Sequence, residues 1–220
     1  VLAVAHKGSL LHAPDMYMQK IAVGPEATEA IDIDAPLVEN IKAVAHALGK
    51  SIDQVTVTIQ ERDRHQQLVR ETLNIGAKVR LFSDNDIVAG LSTTVIGNGY
   101  DSPNADLFVG TGGAPEGVIL AAALKSFGGN MQGRLLPRDE GEYERCWAMG
   151  IDNPDKALMI DDMVRSDECL FVATGVTNGS LLNGVRTTQG NLVTHSLMGL
   201  GGEAPVTFFE SVYRRNSFEV

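Results

Sequence analysis

The sequence predicts an α/β fold built on a largely parallel sheet, and three observations carry that expectation. From residue 55 onward, short β-branched or apolar runs alternate with helix-period stretches, an order that favours parallel strands with helices packed on them. The 220 residues are 44% hydrophobic and 21% charged, an ordinary globular composition that sets disordered and fibrous classes aside. The length suits one large domain or two small ones.

Each element has its own signal. Val1-Leu2-Ala3-Val4-Ala5 reads as an apolar strand, followed by a polar turn at His6-Lys7-Gly8. With no initiator Met and no lead-in, this opening is expected to lie partway into a longer protein. Met16 and Met18 flank Tyr17 at strand spacing, which predicts two core methionines with Tyr17 on the opposite face. Leu37, Ile41, Val44 and Leu48 recur at helical spacing, with Pro36 suited to the first turn and Gly49 to the end. Then come a strand at Val55–Ile59, a helix at Arg64–Ile75 ending at Gly76, and a strand at Val79–Phe82. A shorter helix at Ile87–Thr93, a strand at Asp106–Val109 and a helix at Pro115–Phe127 follow, the last stopped by Gly128-Gly129. Beyond Gly133 the pattern weakens to a helix at Glu140–Met149 and strands at Leu170–Ala173, Asn191–Leu197 and Pro205–Tyr213.

Charge and composition narrow the function. Eighteen Lys and Arg against 28 Asp and Glu give a net charge of −10 and a pI near 4.9. Such a surface repels a phosphate backbone and argues against a nucleic-acid partner. No apolar run approaches the roughly 18–20 residues that span a bilayer, and no signal peptide is seen, so no membrane partner and a cytoplasmic location are expected. Cys146 and Cys169 sit in unrelated contexts and are expected to be reduced and half-buried.

In a parallel sheet the strand-to-helix loops share one edge, where ligands bind. Here they carry Arg62-Asp63-Arg64-His65, Ser83-Asp84-Asn85-Asp86 and Gly110-Thr111-Gly112-Gly113-Ala114-Pro115-Glu116-Gly117. A basic, an acidic and a glycine-rich loop side by side suit a phosphorylated, hydroxylated ligand: Arg for phosphate, Asp for hydroxyls, helix-start amides for a second anion. Bland readings stand beside these. Asp86 could serve only as a helix cap, Arg62 and Arg64 as solvated charges, and Glu116 as a partner of the helix dipole rather than a ligand of a divalent cation. The glycine stretch lacks the Gly-Lys-Ser/Thr ending of a P-loop, and the third glycine of a dinucleotide fingerprint would fall at Pro115, so nucleotide-binding readings are disfavoured. The five histidines show no zinc spacing, and no Gly-x-Ser-x-Gly elbow occurs.

Together Ala13-Pro14-Asp15-Met16-Tyr17-Met18-Gln19-Lys20, Arg64-His65, Ser83–Asp86, Gly112–Gly117, Gly133–Leu136 and Ala173–Thr177 resemble class II fructose-1,6-bisphosphatases, a bacterial branch of the metal-dependent, lithium-sensitive sugar phosphatases. The resemblance implies a layered α-β-α-β-α fold, Mn²⁺ or Mg²⁺ dependence, gluconeogenic metabolism and a homo-oligomer, dimer or tetramer. It implies substrate contacts from Tyr17, Arg62, Asp63, Arg64, Asp84, Asn85, Asp86 and Gly113, with Glu116 as a metal ligand. Arg62, Asp63 and Asn85 replace the family's usual lysine, proline and glycine, which leaves sedoheptulose-1,7-bisphosphate open beside fructose-1,6-bisphosphate. The family's Asp-Pro-x-Glu-Gly-Thr motif would precede Val1, so catalytic residues are expected upstream. Residues 1–50 are then expected to be the remainder of an N-terminal domain and 51–220 a C-terminal α/β domain. Residues 1–220 alone are expected to be inactive, and a non-catalytic sugar-phosphate-binding module is the alternative.

Overall fold

The computed structural model describes residues 1–83, 86–94, 105–201 and 206–214. In chain order these form β1 (Leu2–Ala5), β2 (Tyr17–Val23), α1 (Leu37–Ala47), β3 (Thr56–Gln60), α2 (Gln66–Asn74), β4 (Lys78–Phe82), α3 (Asp86–Leu91), β5 (Leu107–Gly113) and α4 (Ala114–Ser126). They continue with β6 (Asn130–Leu135), α5 (Glu140–Ala148), β7 (Leu158–Met159), α6 (Ile160–Met163), β8 (Cys169–Thr174), β9 (Arg186–Thr188), β10 (Asn191–Leu200) and β11 (Thr207–Tyr213).

Local signals explain most of these elements. Leu37, Ile41 and Val44 make the buried stripe of α1, and Gly49 ends it in the left-handed region, φ 62°, where a Cβ would be strained. Gly76 does the same after α2 at φ 90°. On β2 the alternation holds: Met16 and Met18 are buried and Tyr17 is exposed. In α4, Val118, Leu120 and the run Ala121–Leu124 are buried nearly all round, so this helix needs cover on more than one side.

Two sheets provide that cover. The six-stranded sheet runs β4-β3-β5-β2-β6-β7, and its parallel pairing is confined to β4-β3-β5. β2, β6 and β7 are antiparallel because β2 enters from outside the β-α-β series and inserts between β5 and β6. The second sheet, β1-β8-β10-β11 with β9 on β10, is antiparallel throughout. One core joins α1 and α2 to Ile21, Val57, Ile59, Leu107 and Val109 on one face of the first sheet. The other joins Met18 and Phe108 on its opposite face, through α3 and α4, to Phe171 and Leu197 of the second sheet. Four of the five expected layers, α-β-α-β, are thus built from the described residues, and the far face of the second sheet exposes Leu2, Val4, Leu200, Phe209 and Tyr213.

Three sequence expectations change. The glycine stretch is strand as far as Gly113, because β2 pairs with it from Val23↔Leu107 to Tyr17↔Gly113. Cys146 and Cys169 are free, as expected, but fully rather than half-buried, both within the core that α4 shares with the second sheet. β6 was not foreseen; it lacks β-branched residues, and its buried Gln132 instead accepts from the Ile33 amide and donates to the Ile31 carbonyl, both at 2.8 Å.

Candidate functional site

The parallel strands β3 and β5 end on one edge of the six-stranded sheet, and the antiparallel neighbours bring further residues there. Tyr17 at the start of β2 lies opposite Gly113, and the Leu136 amide just after β6 donates to the Tyr17 carbonyl at 2.9 Å. Gly112 and Gly113 are the meeting point of the site. A Cβ on Gly112 would lie 2.8 Å from the Asp86 carboxyl carbon, and one on Gly113 3.0 Å from that of Glu116, so both carboxylates rest directly against bare backbone.

On one face of this edge sits an arginine-tyrosine group. The Arg64 guanidinium lies 5.3 Å from the centroid of the exposed Tyr17 ring, and that of Arg138 lies 5.9 Å from it. Arg64 is held by Nε and Nη2 donating to the Thr111 carbonyl at 3.0 and 2.7 Å, and by Nη2 to Gln60 Oε1 at 3.2 Å. Arg138 is anchored by the buried Glu142, whose Oε1 accepts from Nε at 3.1 Å and Nη2 at 2.6 Å; these bonds hold the Glu142 carboxyl below its usual range. Beneath Arg64 the buried His65 bridges two strands: the Thr111 amide donates to Nε2 at 2.9 Å, so Nδ1 carries the proton and donates to the Gln60 carbonyl at 2.8 Å. Burial lowers the His65 pKa, in keeping with this neutral ring.

On the other face lies a buried ion pair. Lys20 Nζ donates to Asp86 Oδ2 at 2.6 Å, with the side chains 0% and 6% exposed. Burial lowers the Lys20 pKa, opposed by the charges of Asp86 and Glu116.

The structure therefore brings Tyr17, Arg64, Asp86, Gly113 and Glu116 to one edge. Arg62 and Asp63 line a neighbouring groove with Arg70 and Leu81; Arg62 Nη1 donates to the Glu61 carbonyl at 2.8 Å, and Asp63 accepts from Gln66 at 3.3 Å. Asp84 and Asn85 lie outside the described residues. One amide of the glycine stretch, that of Thr111, is engaged by His65 and so is not open to an anion. Sequence reasoning missed Lys20, His65 and Arg138. Lys20 had a signal, a lysine in phase with Met18 and Ala22 on the core face of a strand; Arg138, in an ordinary polar loop, had none.

For a divalent cation, Glu116 fits as a ligand: an exposed carboxylate at a helix start, making no hydrogen bond or ion pair among the described residues. No group of three or more His, Cys, Asp or Glu able to hold a metal occurs among the described residues, so these offer one candidate ligand and not a full set. No helix of the described residues is long and apolar enough to cross a membrane.

Known proteins resemble this chain along most of its length. The pattern of the family described as "Bacterial fructose-1,6-bisphosphatase, glpX-encoded" matches residues 1–213. The chain is 38% identical over 232 aligned residues to the D-fructose 1,6-bisphosphatase class 2/sedoheptulose 1,7-bisphosphatase of Synechocystis sp., covering 100% of this chain and 66% of that protein. It is 41% identical over 217 residues to fructose-1,6-bisphosphatase 1 class 2 of Escherichia coli, covering 93% of this chain and 62% of that one. The Trichormus variabilis D-fructose 1,6-bisphosphatase class 2/sedoheptulose 1,7-bisphosphatase is 36% identical, covering 97% and 64%. The chain thus spans a little under two thirds of the length of these relatives. The match along nearly the whole chain, at identities well above those of chance likeness, places it in the bacterial class II fructose-1,6-bisphosphatase family.

Proposed function

We propose that the full-length protein is a metal-dependent phosphomonoesterase that converts fructose-1,6-bisphosphate to fructose-6-phosphate and phosphate, as its relatives' names indicate for them. The observation that carries this reading is the convergence of Arg64, Tyr17, Asp86 and Glu116 on Gly112 and Gly113. Arg64 offers a guanidinium, pre-positioned by the Thr111 carbonyl, for charge-assisted contact with a phosphate. Tyr17, held beside both arginines, and Asp86 orient the sugar, a role the resemblance extends to Asp84 and Asn85. The bare backbone at Gly113 leaves room for the Glu116 carboxylate, and the resemblance gives Gly113 a backbone contact to substrate. Arg62 and Asp63, in the groove alongside, are assigned to the same sugar phosphate by resemblance. Glu116 contributes one oxygen ligand to Mg²⁺ or Mn²⁺. The cation, when bound, supplies the charge that neutralises phosphoryl oxygens and acidifies water. The protein residues supply what such a reaction most needs besides: a fixed orientation and matched charge. Two relatives named for sedoheptulose 1,7-bisphosphate make that sugar the second substrate to assay, and a dimer or tetramer is the assembly the resemblance implies.

The test is phosphate release by the purified full-length protein from each bisphosphate, with Mg²⁺, with Mn²⁺ and after chelation. Release that needs the cation supports the proposal. Absence of release from both sugars with either metal refutes it.

A further inference from the structure

We propose that Lys20 is a positioning residue of the sugar site: it acts through Asp86, holding one carboxylate oxygen so that the other faces the ligand beside Gly112. The inference rests on the sugar-phosphatase reading above. β2 places Met18, Lys20 and Ala22 on the same face, and Met18 and Ala22 are core residues there. Packing alone would favour a third apolar side chain between them. A fully buried ammonium is costly unless it is paired, and Lys20 is paired with one group, Asp86 Oδ2 at 2.6 Å. The surroundings keep room for it. Gly117 of α4 stands over the lysine stem, where a Cβ would lie 3.1 Å from Lys20 Cε. Asp86 in turn begins α3 and turns its carboxylate onto Gly112, where a Cβ would overlap the Lys20-bound Oδ2 and lie 3.2 Å from Oδ1. Among the described residues Lys20 is the group that bonds this carboxylate, and Oδ1 accepts no hydrogen bond. With Oδ2 engaged by Lys20, Oδ1 is left to accept from a sugar hydroxyl beside Gly112.

A lysine that merely neutralised a buried charge would influence stability and leave substrate affinity alone. The experiment therefore compares the full-length wild type with Lys20→Met, Asp86→Asn and the double variant Lys20→Met/Asp86→Asn, reading KM and kcat for fructose-1,6-bisphosphate together with the melting temperature. Lys20→Met should raise KM about tenfold, the loss of a well-placed hydrogen bond to a charged group, with kcat altered much less. In the Asp86→Asn background Lys20→Met should raise KM no further, because the residue it acts through is already neutral. If Lys20→Met fails to fold, Lys20→Gln, whose amide still pairs with the buried carboxylate but carries no charge to fix it, is read in its place: a raised KM supports the proposal and a wild-type KM overturns it. A folded Lys20→Met with wild-type KM overturns the proposal, and so does a double variant whose KM exceeds that of Asp86→Asn. A wild type that hydrolyses no sugar bisphosphate overturns the functional reading and this inference with it, whereas an active wild type beside an unaltered Lys20→Met overturns this inference alone.

Discussion

Gly112→Ala and Gly110→Ala make a matched pair two residues apart on β5. A methyl at Gly112 would overlap Asp86 Oδ2 and lie 2.8 Å from the carboxyl carbon. The carboxylate cannot simply withdraw, because its Oδ2 is bound to Lys20 at 2.6 Å and both groups are buried. Overpacking of this kind costs about 1–3 kcal/mol, and strain on the ion pair pushes the value toward the upper end. For a chain of this size that corresponds to a melting temperature lower by roughly 2–12 °C. A methyl at Gly110 meets nothing closer than 3.6 Å, the His65 Cε1, which is ordinary contact. There the loss of unfolded-state freedom is the larger effect and Gly110→Ala should be neutral or stabilising by up to about 1 kcal/mol. Thermal unfolding followed by circular dichroism, with the three proteins side by side, measures both. Gly112→Ala should also raise KM for the sugar bisphosphate, since it displaces Asp86. If Gly112→Ala melts with Gly110→Ala and the wild type, the Asp86 carboxylate does not rest against Gly112 and the site as described is wrong.

Arg64→Ala should raise KM by about ten- to a hundredfold if the guanidinium binds phosphate, since a hydrogen bond to a charged group contributes about 1.5–3 kcal/mol; its exposed bonds to Thr111 should matter little to the melting temperature, and unchanged kinetics would reduce Arg64 to a surface charge. Glu116→Gln keeps shape but removes charge, so the Mg²⁺ or Mn²⁺ concentration for half-maximal activity should rise sharply while stability changes by no more than about 1 kcal/mol; superimposable metal titrations would leave Glu116 a helix-start residue. For His65, burial holds the folded pKa below the unfolded value of about 6.5, so as pH falls the unfolded chain takes up its proton first. The His65 contribution is complete above about pH 6.5 and is lost as pH drops below it toward the folded pKa, so the wild-type melting temperature should decline over that interval more steeply than that of His65→Gln. Equal slopes would contradict the buried neutral ring.

How much of this was legible beforehand varies by element. The stripe of Leu37, Ile41 and Val44, the helix-ending glycines at 49 and 76, and the exposed Tyr17 between buried methionines follow from local periodicity and backbone sterics, and the structure reproduces them. The β-α-β alternation likewise announced the parallel trio β4-β3-β5 and hence the edge that carries Arg64 and Gly113. The glycine stretch could not be read correctly from its own residues. Glycine is a poor strand former, and only the antiparallel partner β2, some ninety residues away in sequence, makes Gly110–Gly113 strand.

The sequence alone determined the α/β class, the helix and strand positions with strong periodicity, and the chemical vocabulary of the site, because those depend on residues within a turn or two of each other. Tertiary structure alone decided which charges meet. Arg64 and Arg62 are two residues apart, yet one lies over Tyr17 and the other in the next groove. Lys20 and Asp86, 66 residues apart, become a buried pair, and Arg138, anchored on Glu142, lies beside Tyr17. The reason is geometric: spacing along one strand or helix fixes which face a residue occupies, whereas contact between elements depends on sheet order and on antiparallel insertion, which no local pattern in this chain encodes.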